Sequence, residues 1–312
     1  MCPTQGQLTQ LSYFRVDPLE QRSPLPPAMI ACSITMAGIG FALGWLAAGA
    51  LVREARMHFW GFETVQCLMV AGWGVAFILV GIAIAKSCGW IRPVVLAAVP
   101  VFIATNIDQA LLDVLLGQRH LGLSGSLLVP VAALGPMLLS GIVFVYFCLP
   151  SAAVPLRNRD FPSIRYNQTP LPLLAWSLGC GLYGLICLTT VVFSQVSNIS
   201  LPNQIEFPWI FLVMLVAGAL AFFRAWSGWL TGVGSVAMLA LFKLENYFIE
   251  KNSLALASHA ALAWPPPPSI FYRFLTADMV VSLAIYLGAA AFGIYAGRYL
   301  RPTTRSAVLS QT

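Results

Sequence analysis

Eight apolar segments follow one another along this 312-residue chain, each close to the roughly 20 residues that a membrane-spanning helix needs. Backbone polar groups inside a bilayer must be satisfied within the segment itself, which favours helices over open sheets. The sequence therefore predicts an all-α fold, a single polytopic bundle of about eight transmembrane helices. The predicted spans are about 28–52, 62–85, 93–117, 126–149, 171–196, 208–225, 228–249 and 275–297.

The composition excludes an ordinary soluble domain. Hydrophobic residues make up 59% of the chain and charged residues only 9%, whereas soluble domains carry about 25% charged residues. The net charge of +6 would suggest nucleic-acid binding in a soluble protein, but here it is explained by basic loops on one membrane face. The expected partner is the lipid bilayer, not nucleic acid. The seven cysteines form no CxxC pair and the three histidines lie near predicted helix ends, so no metal or other cofactor is expected.

The distribution of lysine and arginine predicts the orientation. The N-terminal tail, every second connection and the C-terminal tail hold eleven of these residues, and the opposite connections hold five. The positive-inside rule then places both termini in the cytoplasm, with 1–27 as a flexible tail and 298–312 as a basic tail. The membrane would be the endoplasmic reticulum in a eukaryote, or the inner or plasma membrane in a bacterium. In a eukaryotic secretory-pathway protein, the sequon at Asn198 would lie in an outer loop and could be glycosylated.

Charged residues inside the predicted spans are the first candidates for a functional role. Asp108 and Asp113 lie in the outer part of the third span, and Lys243 is the one lysine within a span. Because charges inside a bilayer are normally paired, we expect an ion pair between Lys243 and Asp108 or Asp113. Such a pair would serve catalysis or simply hold two helices together; alternatively, Lys243 reaches the interface by snorkelling.

Acidic residues concentrate on the predicted outer side, which holds eight of the eleven. Aromatic residues make up 12% of the chain. An apolar, aromatic-lined cavity with an unpaired carboxylic acid can protonate an isoprenoid epoxide or alkene, and ring faces stabilise the resulting carbocation. The candidate catalytic acids on the outer side are Glu63, Asp278, Asp108 and Asp113.

Two short elements carry a family resemblance. Trp60-Gly61-Phe62-Glu63 at the head of the second span and Asp278 in the last span resemble the small integral-membrane terpene cyclases of fungal secondary-metabolite pathways. The resemblance implies a bundle of about seven helices in which an early glutamate and a late aspartate act as the acid pair, roles that would fall on Glu63 and Asp278. Here two residues separate the tryptophan from the glutamate, whereas the family has none, and the chain has one more span.

Three functions remain open from the sequence. The first is a membrane-embedded enzyme acting on an apolar isoprenoid or lipid substrate, with acid-initiated terpenoid cyclisation as one such reaction. The second is an ion-coupled transporter of a small solute, suggested by prolines in the fourth span and by a 4+4 arrangement, although the halves show no evident sequence similarity. The third is a structural subunit that docks a membrane-protein partner. The outer connection 250–273, with four consecutive prolines, is expected to be an extended segment.

Overall fold

The computed structural model describes residues 25–57, 62–120, 128–153, 170–196, 209–259 and 268–300. This part of the chain folds into eight α-helices and contains no strand, which confirms the all-α prediction. The helices are α1 (Pro27–Met57), α2 (Phe62–Ala85), α3 (Ile91–His120), α4 (Leu128–Cys148), α5 (Leu171–Val196), α6 (Trp209–Phe222), α7 (Trp226–His259) and α8 (Pro268–Gly297). Short 3-10 turns, Pro150–Ala153 and Arg298–Leu300, follow α4 and α8.

Five helices, α1, α2, α5, α7 and α8, contain segments long and apolar enough to cross a membrane. The other three hold shorter apolar segments, Ile91–Ile107 in α3, Leu134–Cys148 in α4 and Trp209–Phe222 in α6. Large apolar side chains such as Trp45 and Phe41 of α1 point outward, 73% and 68% exposed. Helices that are apolar on all sides suit a lipid environment. The chain is a multi-pass integral membrane protein.

The connection between the seventh and eighth predicted spans is shorter than predicted. Helix α7 continues to His259 and α8 already begins at Pro268, so both ends of 250–273 are helical, whereas Pro265, Pro266 and Pro267 of the proline run lie outside the described residues and their extended conformation stays a prediction. The stretch after Glu250 supplies lysine, leucine and alanine, which have high helix propensity, and proline is well tolerated at the first position of a helix. The predicted span ended where the sequence becomes polar, but a helix can continue beyond the part of it that is apolar.

The structure shows that α1 and α2 pack in the same way as α5 and α6. In the first hairpin, Ser33 Oγ donates a 2.7 Å hydrogen bond to the carbonyl oxygen of Gly81. In the second hairpin, Ser177 Oγ donates a 2.7 Å hydrogen bond to the carbonyl oxygen of Gly218. The serine and its acceptor are 48 residues apart in the first hairpin and 41 in the second.

Glycines seven residues beyond each serine repeat the same close approach. A Cβ atom on Gly40 of α1 would lie 2.5 Å from the carbonyl oxygen of Gly74 on α2. A Cβ atom on Gly184 of α5 would lie 2.6 Å from the carbonyl oxygen of Phe211 on α6. Small residues allow membrane helices to bring their backbones together in this way. The two helix pairs therefore share one contact pattern.

The turn that ends α2 also matches the turn that ends α6. Ser87 and Arg224 adopt left-handed φ angles of 51° and 59°. Each donates its backbone N–H to the carbonyl three residues earlier at 2.9 Å, and the next N–H closes onto the carbonyl five residues earlier at 3.0 Å. This is the Schellman motif of helix C-termini. Ser87 and Arg224 are 137 residues apart, as are the serine acceptors Gly81 and Gly218.

The third and fourth helices are connected alike in both halves. Arg92 Nε, near the start of α3, donates to the carbonyl oxygen of Phe147 on α4 at 3.0 Å. Trp229 Nε1, 137 residues later and near the start of α7, donates to the carbonyl oxygen of Gly293 on α8 at 2.6 Å. In both halves the first helix also packs against the fourth. We call α1–α4 the first repeat and α5–α8 the second repeat.

The register of the repeats places two pairs of acidic residues at equivalent positions. In the 137-residue register, segment 106–113 (NIDQALLD) aligns with segment 243–250 (KLENYFIE), and acids coincide at two positions. The eight aligned positions contain no identical residue, so the lack of evident sequence similarity between the halves stays a prediction. The serine and its acceptor are seven residues further apart in the first hairpin than in the second. No single offset therefore aligns both helices of one hairpin with both helices of the other.

The hydrophobic core follows the same division. The largest cluster of buried residues comes entirely from the first repeat, from Met29 on α1 to Phe147 on α4. Two smaller clusters come from the second repeat, around Trp176 and around Phe211. Tyr183 of α5 packs against all three clusters. The boundary between the repeats therefore passes close to this tyrosine.

Candidate functional site

A cavity of about 470 Å³ lies between the two repeats. The first repeat contributes residues of α3 between Leu96 and Ala104, together with Phe144 on α4. The second repeat contributes residues of α5, α6, α7 and α8, including Trp176 and Tyr183. The volume falls within the roughly 300–1,000 Å³ of small-molecule sites in proteins.

The cavity wall is aliphatic and aromatic. Among the residues that the structure describes, no acidic or basic side chain lines it. Phe144, Trp176 and Phe292 supply rings, and those of Trp176 and Phe292 meet edge to face with centroids 6.5 Å apart. A wall of this kind binds hydrocarbon by the hydrophobic effect, and its ring faces present negative potential to a cation.

Polar atoms occur at only a few points of this wall. The hydroxyl groups of Tyr183 on α5 and Tyr286 on α8 hydrogen-bond each other at 3.0 Å. The thiol of Cys187, one turn further along α5, also interacts with the Tyr183 hydroxyl. Trp176 Nε1 is buried and has no hydrogen-bond partner in the described part of the chain. It lies beside Gly232, where a Cβ atom would be 3.5 Å away.

An ion pair lies just beyond the cavity. Lys243 Nζ on α7 is 2.7 Å from Asp278 Oδ2 on α8, and the two side chains are only 14% and 9% exposed. Ser282 Oγ donates to the other carboxylate oxygen of Asp278 at 3.4 Å. Lys243 follows Leu239, which lines the cavity, by one helical turn, or about 6 Å along the axis.

One face of α8 connects this ion pair to the tyrosine pair. Asp278, Ser282 and Tyr286 occur at four-residue intervals, which places them on the same helix face. Their polar groups form a track alongside an otherwise apolar cavity. We call these three residues the α8 polar track.

Asp278 is a partner of Lys243 that was not predicted. The predicted partners of Lys243 were Asp108 and Asp113, whose side chains are not described, so that pairing stays a prediction. The position of the two residues within their spans was the signal that was missed. Asp278 is the fourth residue of the last predicted span, at its outer end, and Lys243 lies near the outer end of the seventh. Its assignment as a free acid obscured its availability as a counter-ion.

The candidate acids fare differently in the structure. Asp278 is ion-paired, whereas acid-initiated chemistry needs an unpaired carboxylic acid. Glu63 is the second residue of α2, and the side chains of Glu63, Asp108 and Asp113 are outside the part of the structure that is described. Trp60, Gly61 and the sequon at Asn198 also fall outside the described part of the chain. The proposed acid roles of all four residues stay predictions, and Asp278 is the one of the four that the structure shows in an ion pair.

No protein-family model, curated protein or solved structure matches the chain. The function is therefore inferred from the geometry of the cavity, the tyrosine pair and the Lys243–Asp278 ion pair.

Proposed function

We propose that the protein is a membrane-embedded enzyme that takes an apolar isoprenoid- or lipid-type molecule from the bilayer into the cavity between its repeats. The observation that carries this proposal is the 470 Å³ cavity with no charged side chain among its described lining residues. A site built this way gains binding energy from burying hydrocarbon, about 25 cal/mol per Å². A largely apolar molecule needs no carrier to cross a bilayer, so a dedicated cavity favours conversion over translocation.

The aromatic rings support chemistry through a cationic intermediate. Phe144, Trp176 and Phe292 line the same cavity, and a ring face within about 6 Å attracts a cation. Exclusion of water would protect such an intermediate from premature hydrolysis. Terpenoid cyclisation is the reaction of this type that we propose, with Glu63, Asp108 or Asp113 as the acid. Asp278 would instead balance the charge of Lys243.

The repeat supports eight membrane spans in this proposal. The three helices with shorter apolar segments, α3, α4 and α6, correspond to α7, α8 and α2, which are all long enough to cross. Helices with equivalent contacts in the two repeats are expected to lie at equivalent depths in the membrane. Eight spans would place both termini on the same side, and the basic connections assign that side to the cytoplasm.

A carrier is the second candidate, favoured by the position of the cavity between two repeats. If each repeat crosses the membrane four times, both repeats have the same orientation, an arrangement found in several secondary transporters. The α8 polar track beside an apolar wall would suit an amphipathic solute. An ion-coupled transporter of such a molecule is therefore the alternative to the enzyme.

The experiment starts from molecules that purify with the protein. The protein would be extracted with its native lipids into nanodiscs, and the bound small molecules identified by mass spectrometry after solvent extraction. Gly179 lines the cavity and has nothing within 4 Å of an added Cβ atom, so Gly179→Leu should fill the site and remove the bound molecule. Gly38 on α1 has the same open surroundings but does not line the cavity, so Gly38→Leu should retain it.

The same material separates the two candidates. An isotopically labelled form of the identified molecule is expected to change mass when it is incubated with membranes containing the protein. Movement across proteoliposome membranes without a change in mass would replace the enzyme with the carrier. Loss of the molecule from neither variant, or its absence from the wild type, would contradict a ligand site in this cavity.

A further inference from the structure

The tyrosine pair is the feature of the cavity that an entirely hydrocarbon ligand would not require. Tyr183 and Tyr286 both line the cavity and come from different helices, and their hydroxyl oxygens are 3.0 Å apart. Polar groups in an apolar wall are costly unless hydrogen-bonded, and each must find partners within the protein or the ligand. Phenylalanine would fill nearly the same space without that requirement.

The two hydroxyl groups have more hydrogen-bonding capacity than their mutual bond uses. Each phenol oxygen can donate one hydrogen bond and accept others. Their mutual bond uses one donor and one acceptor, Cys187 contacts Tyr183, and Tyr286 makes a further interaction of its own. Each phenol oxygen has two lone pairs and can accept a bond beside these, and a ligand hydroxyl suits the pair because it both donates and accepts.

The position of the pair also defines the orientation of a ligand. The α8 polar track leads from Tyr286 through Ser282 towards the Lys243–Asp278 ion pair. Trp176 lies seven residues before Tyr183 on α5, about 10 Å along the helix axis, within the apolar part of the wall. A hydroxyl at the tyrosine pair would therefore leave a hydrocarbon chain directed towards Trp176.

We propose that Tyr183 and Tyr286 bind the hydroxyl group of a mainly hydrocarbon alcohol, whose chain occupies the rest of the cavity. This inference rests on the proposed function, because it assigns the ligand class of the same site. The tyrosines are positioning residues: they select an oxygenated ligand over a pure hydrocarbon and fix the end of the molecule at which the oxygen lies.

The test compares two probes of similar size, farnesol, which carries a hydroxyl group, and farnesene, which does not. Binding to the purified protein in nanodiscs would be measured by competition with a labelled farnesol. Wild-type protein should bind farnesol more tightly than farnesene. Tyr183→Phe and Tyr286→Phe should each weaken farnesol binding about three- to tenfold, the effect of one hydrogen bond, and leave farnesene binding unchanged.

A second tyrosine pair provides the matched control. Tyr295 and Tyr299 also share a hydroxyl–hydroxyl bond, at 2.9 Å, but they are exposed and do not line the cavity. Tyr295→Phe should change the affinity for neither probe. Equal affinity of the wild type for the two probes, or an equal loss of both in the tyrosine variants, would overturn the alcohol site while leaving an apolar site in place. Binding of neither probe would contradict the proposed function itself.

Discussion

Lys243 Nζ and Asp278 Oδ2, 2.7 Å apart, form a largely buried ion pair that joins α7 to α8. The position equivalent to Lys243 in the first repeat is Asn106, 137 residues earlier. Asn106 Nδ2 donates a 2.8 Å hydrogen bond to the carbonyl oxygen of Phe102, so the amide has a hydrogen-bond partner within its own helix. The two repeats therefore differ at this position: the first has a hydrogen bond within one helix, and the second has a charged contact between two helices beside the cavity.

The first prediction concerns the stability of this contact. Asp278→Leu or Lys243→Met, each alone, should lower the free energy of unfolding by about 3 kcal/mol, because the remaining charge loses the opposite charge that it faces. Unfolding by a graded denaturing detergent, followed by circular dichroism, would measure the loss.

The double variant distinguishes an ion pair from two independent contacts. Lys243→Met combined with Asp278→Leu removes both charges and should recover most of the stability that either single variant loses. Losses that simply add would show that the two charges are not coupled. Recovery of stability without activity would indicate a role in the chemistry beyond holding the helices.

The second prediction uses the glycine contacts of the repeat. Gly40→Ala and Gly184→Ala should each destabilise the protein by about 1–3 kcal/mol, because the new methyl group overlaps a backbone oxygen on the neighbouring helix. Gly38→Ala and Gly181→Ala are the controls, since a Cβ atom there meets nothing within 4 Å. The controls should be neutral or slightly stabilising because alanine favours helix. Similar effects at the two test sites would support the repeat energetically.

The sequence was sufficient for the helices but not for their partners. Long apolar segments identify helices by composition alone, which is why eight segments became eight helices. The partner of Lys243 depended on which neighbouring helix faces α7, and that choice is made by packing over the whole bundle. The repeat was hidden because its matching positions, such as Ser33 and Ser177, are small residues whose role is to admit a neighbouring backbone. The cavity is the space left between six helices, α3 to α8. It depends on how all six pack, so it cannot be predicted from the sequence of any one of them.

The third prediction concerns the two left-handed turns. Ser87 and Arg224 occupy positions where glycine carries no steric cost, and Ser87 Oγ is buried without a hydrogen-bond partner among the described residues. Ser87→Gly should raise the free energy of unfolding by about 0.5–1 kcal/mol, the balance of relieved strain against greater freedom in the unfolded chain. Thermal unfolding in detergent is the measurement, and destabilisation by Ser87→Gly would assign the serine hydroxyl an interaction of its own.

The fourth prediction links the repeat to the membrane. Lys86 and Phe223 occupy equivalent positions in the matching turns, and both side chains are exposed. If each repeat crosses the membrane four times, these two positions must lie on the same face, which the positive-inside rule identifies as cytoplasmic. In a background without reactive native cysteines, Lys86→Cys and Phe223→Cys should both resist a membrane-impermeant maleimide in intact cells and react after permeabilisation. Lys251→Cys, beyond the predicted outer end of the seventh span, should react in intact cells and serves as the control for the opposite face.

Labelling of Lys86→Cys and Phe223→Cys from opposite faces would mean that an odd number of spans separates them, and the two repeats would then be inverted in the membrane. The cavity would in that case lie between inverted repeats, an arrangement also used by secondary transporters, and the carrier would gain over the enzyme.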